Sequence, residues 1–384
     1  MSKITVTGQL TLSGGQLTAK ETAAAPAGPS GYTLWTWGAA GTGRLGDDQS
    51  TIARSSPVQV GALADWSSVS GRGTGNLTVK TNGELWDWGY NTTGNLGDGT
   101  VINKSSPIQI GALTNWSSVS GGQFHDLAVK TDGTLWAWGR NDSINTGALG
   151  LGDVINRSSP VQVGSLTDWA NVSTTGQHSL AVKTDGTLWA WGLGSIGRLG
   201  LGDTDDRSSP VQIGNLTNWA SVAVAQDHSV AVKTDGTLWT WGSNSSGRLG
   251  DGTTTLRSSP VQIGSLTNWS SVAASDHTLA VKTDGTLWTW GSNSSGRLGL
   301  GNTVARSSPS QIGALSDWSK VSASNHSIAV KTDGTLWGWG DNSPDGRIGD
   351  GTIVDKSSPV QIGSLTDWIN VSAGGGHTAA LKTV

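Results

Sequence analysis

Apolar and polar residues alternate in short runs along most of this chain. The run Leu180-Ala-Val-Lys-Thr184 has the period of two that a half-buried strand needs, and Thr187-Leu-Trp-Ala-Trp191 repeats it. Asp185-Gly186 between them predicts a tight two-residue hairpin of the type I′ class. A glycine-rich loop from Gly192 to Asp206 follows. Pro210-Val-Gln-Ile213 then reads as a third strand, with proline at its start where no ladder donor is lost. Asn218-Trp-Ala-Ser-Val222 reads as a fourth. No stretch has the 3.6-residue period and caps of a helix.

The same pattern returns seven times. Leu-Trp-x-Trp starts at Leu34, Leu85, Leu135, Leu188, Leu238, Leu287 and Leu336, with spacings of 51, 50, 53, 50, 49 and 49 residues. A Ser-Ser-Pro and a further Trp follow each one, so all 21 Trp are repeat positions. Arg or Lys precedes each Ser-Ser-Pro, and a second Lys column runs from Lys80 to Lys382. Four strands per unit at a period near 50 predict a β-propeller blade rather than a helical solenoid. The last unit stops after the first strand of its hairpin, at His377–Val384, and the first begins with the second strand, at Gly31–Gly38. The predicted fold is all-β: a seven-bladed propeller of four-stranded antiparallel blades over 31–384. Strand exchange between the two termini closes it and leaves no open edge in the ring.

Composition narrows the function classes. The 384 residues contain no Cys, so disulfides, thiolate metal sites and Cys nucleophiles are excluded. Net charge is −4, which argues against a strong nucleic-acid surface. No apolar run has the length of a membrane-spanning helix, and MSKITVTGQL lacks the apolar block of a secretory signal.

Three segments together resemble the repeat of the regulator of chromosome condensation family. They are His178-Ser-Leu-Ala-Val-Lys-Thr-Asp-Gly-Thr-Leu-Trp-Ala-Trp-Gly192, Gly197-Arg-Leu-Gly-Leu-Gly-Asp203 and Pro210-Val-Gln-Ile213. The resemblance covers 31–384 and implies a seven-bladed propeller, but no single function, because function sits in loops grafted on the fold. The family's nuclear branch exchanges nucleotide on a small GTPase and binds nucleosomes through a basic arm; residues 1–30 hold only Lys3 and Lys20 as bases. Its plant photoreceptor branch clusters Trp and Arg before the repeat His, where this chain has pairs such as Gly176-Gln177 and Gln226-Asp227. Its secreted bacterial branch binds partners through loops on one face, and nothing here departs from that mode.

Candidate chemistry is sparse. His125, His178, His228, His277, His326 and His377 recur once per unit, with Gly75 in the first. One copy per blade suits groups that satisfy backbone at a turn better than a catalytic or metal site, which needs a unique constellation. Gly41-Thr-Gly-Arg-Leu-Gly46 and Gly192-Leu-Gly-Ser-Ile-Gly197 match a dinucleotide motif, but no helix follows them. The Leu-Gly-Asp-Gly segments around Asp98, Asp251 and Asp350 recur too far apart to stack carboxylates on calcium and read as turns. No catalytic residue, cofactor or metal is expected.

Departures from the repeat are the better guide to specific contacts. If each blade is a meander, the long loops and the turns before His share one face, here called the loop face. The departures there give a partner-binding set: Arg72, Asn76, Arg140, Asn141, Asp142, Ile144, Asn145, Asp341, Asn342, Pro344 and Asp345. Residues 1–30 form an arm. Ile4–Thr7 and Gln9–Leu12 read as strands, Ser13–Gly15 as a turn and Thr22–Ser30 as a Pro/Ala/Gly linker. Ile4, Val6, Leu10, Leu12 and Leu17 are its anchoring residues.

The resulting expectation is a non-enzymatic interaction module, displayed on a larger assembly through its arm, with protein partners and neither nucleic acid nor membrane insertion. A bacteriophage virion component (decoration, fibre or tail-tip protein), made in the cytoplasm without a signal peptide, is the leading form. A soluble regulator or inhibitor of an enzyme or GTPase is the alternative.

Overall fold

The structure, a computed structural model, describes residues 10–13, 16–19, 31–49, 51–142 and 147–384. Gly31–Val384 form one compact unit and Met1–Ser30 another. In the second, Leu10–Ser13 pairs antiparallel with Gln16–Ala19, placing Leu10 opposite Ala19 and Leu12 opposite Leu17. The strand expected at Ile4–Thr7, with Ile4 and Val6, lies outside the described residues; the partner of Leu10–Ser13 is the segment after the turn.

The larger unit is seven four-stranded antiparallel sheets. Blades are numbered here by their innermost strands: Trp66–Gly71 for blade 1, then Trp116–Gly121, Trp169–Thr174, Trp219–Val224, Trp269–Ala274, Trp318–Ala323 and Trp368–Ala373 for blade 7. The third Trp of each sequence unit therefore opens the next blade instead of closing its own. Blade 3 runs Trp169–Thr174, His178–Lys183, Leu188–Gly192 and Arg207–Gln212 in spatial order. The closure predicted from the termini is present. In blade 7, Thr33–Gly38 pairs with His377–Lys382, Trp35 opposite Ala380 and Gly38 opposite His377.

Two local expectations change. The outer strand of blade 3 begins at Arg207, three residues before Pro210, and its register shifts between Ala190 and Gly192. The bulge absorbs Ser208-Ser209-Pro210, and a bulged strand carrying proline is a poor template for pairing with another chain. The hairpin turn is also longer. Gly186 N–H bonds Lys183 O at 2.9 Å and Lys183 N–H bonds Thr187 O at 3.0 Å. Only Gly186 of the turn has positive φ, at 78°. This is the three-residue loop with a glycine bulge, not the type I′ turn. Asp185 Oδ1 accepts from the N–H and hydroxyl of Thr187 at 2.9 and 2.7 Å, which fixes the returning strand.

The core lies between blades. Leu180, Val182 and Leu188 of blade 3 pack with Trp219, Val224, Ala231 and Trp241 of blade 4, and the other seams repeat the arrangement. Trp219 meets Trp239 and Trp241 edge to face, with centroids 5.9 and 6.4 Å apart. Lys183 is 6% exposed, its Nζ 4.9 and 4.3 Å from the ring centres of Trp169 and Trp189 and 3.4 Å from Asp168. The Lys column is thus a cation–π strut rather than a solvated face. Gly200 shows why the Gly-Arg-Leu-Gly loop keeps its last glycine: a Cβ there meets Trp241 Nε1 of the next blade at 2.7 Å.

Candidate functional site

A central cavity of about 1070 Å³ is lined by the inner strands and by the loops before each His. Serine hydroxyls cross its wall from one inner strand to the next. Gly71, Gly121, Thr174, Val224 and Ala373 donate their N–H to Ser372, Ser70, Ser120, Ser173 and Ser322 at 2.8–3.0 Å. Ala223 and Ala273 replace that serine in blades 4 and 5, so two junctions lack this link.

Behind the wall the six His rings are fully buried. They bond the neighbouring blade rather than backbone at their own turns. His178 Nε2 lies 2.9 Å from Ser229 Oγ, and that hydroxyl donates its only proton to Arg198 O at 2.9 Å. The ring must therefore supply the hydrogen, which makes it the Nε2–H tautomer with Nδ1 bare. Trp241 Nε1 shares the same Arg198 carbonyl at 2.9 Å. At the closing seam Asn76 replaces the hydroxyl: its Oδ1 meets His377 Nε2 at 3.0 Å and its Nδ2 donates to Arg44 O at 2.7 Å.

Burial lowers these imidazoles, His125 to about 4 and His228 and His326 to about 3. An unfolded His takes a proton near pH 6.5, so the unfolded state binds more protons below that value and stability falls with pH. Each His costs about 1.4 kcal/mol per pH unit across that window. The melting temperature should drop continuously from pH 6.5, with unfolding before pH 4. A flat pH 5–7 profile by differential scanning fluorimetry contradicts this.

The seam between blades 1 and 2 is built differently. Gly75 leaves no imidazole, and Asp126 stands where other blades have a hydroxyl or amide. A carboxylate cannot donate to the Asn95 carbonyl, so Arg72 does both jobs. It donates to Asn95 O at 3.1 Å, Asp126 Oδ2 at 3.0 Å, Trp88 O at 3.1 Å and Asp87 Oδ1 at 2.5 Å. Gly121 makes room, since a Cβ there meets Arg72 Cγ at 2.3 Å. Asp87 and Asp126 are fully buried and Arg72 is 4% exposed. Burial pushes the carboxyl of Asp87 well up and that of Asp126 to about 6, against the pull of the guanidinium.

This geometry reassigns part of the partner-binding set. Arg72, Asn76, Asn141 and Asn342 were expected on the surface, but their side chains are buried and bonded within the chain. Asn141 Oδ1 accepts from Leu149 N–H at 3.0 Å and Asn342 Oδ1 from Ile348 N–H at 2.9 Å; each pins its own long loop. Arg140 pairs with Asp142 at 2.8 Å, and Asp341 and Asp345 pair with Arg347 at 3.0 and 3.7 Å. Arg140, Asp142, Asp341 and Asp345 are part-exposed, Arg347 is buried, and Pro344 is exposed. Ile144 and Asn145 lie outside the described residues. Asp87 and Asp126 escaped the sequence reading, although each breaks a repeat column.

An apolar rim that no repeat column announces lies on the loops. Just before the outer strand, blades 6, 7, 1 and 2 present Ile353 and Val354, Ile52, Val101 and Ile102, and Val154 and Ile155, all 50–64% exposed. The pattern stops at blade 3, where Thr204 and Asp205 occupy the site. Leu256 and Val304 carry single apolar positions in blades 4 and 5. Among the described residues no group of three or more His, Asp or Glu is placed to hold a metal ion, and no helix is long and apolar enough to cross a membrane.

The repeat profile described as Regulator of chromosome condensation (RCC1) repeat matches residues 82–129, 132–182, 185–232, 235–281, 284–330 and 333–381. The chain belongs to the RCC1 repeat family. No curated protein matches it significantly. Among solved structures it is similar to human WBSCR16, at 20% identity and a TM-score of 0.82, over 92% of this chain and 99% of that one. It is also similar to Prp20p from Saccharomyces cerevisiae, at 22% identity and a TM-score of 0.78, over 92% of each. At those identities the likeness concerns the RCC1 fold alone.

Proposed function

We propose that this RCC1-type propeller is a non-enzymatic protein-interaction module, carried by a larger assembly through residues 1–30 and presenting its loop face. The observation that carries the reading is the exposed apolar rim over four adjacent blades, because contiguous exposed apolar surface on a folded chain marks an interaction site. Family precedent supports a protein partner: the structure of Prp20p was described with its binding to Gsp1p and histones, and yeast RCC1 was solved bound to Kap60. The form we favour is a bacteriophage virion component, such as a decoration, fibre or tail-tip protein, acting outside the cell after synthesis in the cytoplasm. Its support is the short β-arm, which suits anchoring by strand addition.

The test compares the full chain with one beginning at Gly31, which keeps every strand of the closed ring. Size-exclusion chromatography with light scattering should find only the full chain in higher assemblies or joining larger particles. Identical behaviour of the two overturns the arm as an attachment device.

A further inference from the structure

We propose that the loop face pairs with a second copy of this chain, disc against disc. The two-fold axis crosses the seam between blades 7 and 1 on one side and blade 4 on the other. The inference rests on the reading of the loop face as the interaction surface and names its occupant.

A two-fold pair is isologous, so each patch must meet its own mirror position. For seven blades and this axis, blade 7 faces blade 1, blade 6 faces blade 2, blade 5 faces blade 3, and blade 4 faces itself. The apolar rim occupies blades 6, 7, 1 and 2, the set that this operation maps onto itself. Leu256 of blade 4, 49% exposed, meets its own copy.

Blades 3 and 5 provide the independent check. Six outer strands open with a cation held by an aspartate of its own blade, such as Arg157 with Asp153 at 2.5 Å and Arg257 with Asp251 at 2.7 Å. Blade 5 breaks the rule: Asn302 stands where the aspartate belongs, and Arg306 contacts only backbone, Val304 O at 3.4 Å and Ala305 O at 3.3 Å, among the described residues. Blade 3 breaks it the other way. Asp203 and Asp205 share the single Arg207, at 2.7 and 3.9 Å, and Asp205 is 78% exposed. The blade with a spare cation and the blade with spare carboxylates are the two that this axis brings face to face. Elsewhere on the rim the cations are neutralised within their own blades, so a second copy meets apolar contact without repulsion. Seven β-branched side chains from each copy, half or more exposed, supply the roughly 1,000 Å² that a specific interface needs.

Sedimentation velocity on the full chain at micromolar concentrations should show a dimer. Ile102→Asp, at an exposed position that leaves the fold intact, should weaken it at least tenfold without moving the melting temperature. Arg306→Asp should also weaken it at least tenfold, and Arg306→Asp combined with Asp205→Arg in one chain should restore it, since the swapped charges again face each other. A monomer at every concentration, a dimer indifferent to Ile102→Asp, or a charge swap that fails to rescue overturns the pairing. None of these outcomes bears on attachment through residues 1–30, which the chain beginning at Gly31 tests separately.

Discussion

Deleting His377–Val384 should leave no folded propeller at room temperature. This segment is the second strand of blade 7 and is paired on both sides, with Trp368–Ala373 and with Thr33–Gly38. It buries Ala379, Ala380 and Leu381 completely. Without it Thr33–Gly38 keeps only Arg54–Gln59 as a partner and no longer reaches Trp368–Ala373, the ring opens, and the seam holding Trp66 and Trp88 loses its floor. A domain is stable by only about 5–15 kcal/mol, and the loss of a central strand exceeds that margin. Tryptophan emission should shift to that of exposed indole, and the protein should elute as aggregate. A folded monomer melting within a few degrees of the full chain shows that closure is dispensable.

Arg72→Ala should be the most destabilising single substitution in the ring, at about 3–5 kcal/mol near neutral pH, because it leaves two buried carboxyls without their cation. Denaturant titration measures it. The loss should shrink at pH 5, where Asp87 and Asp126 take up protons more easily. A combined variant that removes the buried ions together (Arg72→Thr, Asp87→Ala, Asp126→Ser) should recover part of the loss, since no buried charge is then left unpaired. A loss below about 1 kcal/mol for Arg72→Ala shows that the cluster is not holding blades 1 and 2 together.

Much of the architecture was legible in the chain because the repeat states it seven times. Period-two alternation marked the strands, the Trp and Pro columns counted the blades, and the offset ends of the repeat predicted the pairing of Thr33–Gly38 with His377–Lys382. The assignment of Trp219 failed for a physical reason: a strand's sequence shows which face is apolar but not which neighbour it bonds. That strand is adjacent in sequence to the outer strand of blade 3, yet it opens blade 4.

Sequence alone also showed that His178 and its equivalents recur once per unit, but not that each ring reaches a side chain of the next blade. Which departures from the repeat face inward was a different matter. Arg72, Asn76, Asn141 and Asn342 look like surface polar residues in a loop, but Arg72 and Asn76 bond across packed blades, and Asn141 and Asn342 satisfy buried groups of their own folded loops. Ile102 and Ile155 lie in the long loops just before the outer strands, and their spacing in sequence does not reveal that both are exposed. Local pattern is written in the spacing of residues along one chain. Burial and the pairing of Arg72 with Asp87 and Asp126 depend on distances between segments far apart in sequence, and only the closed ring sets those.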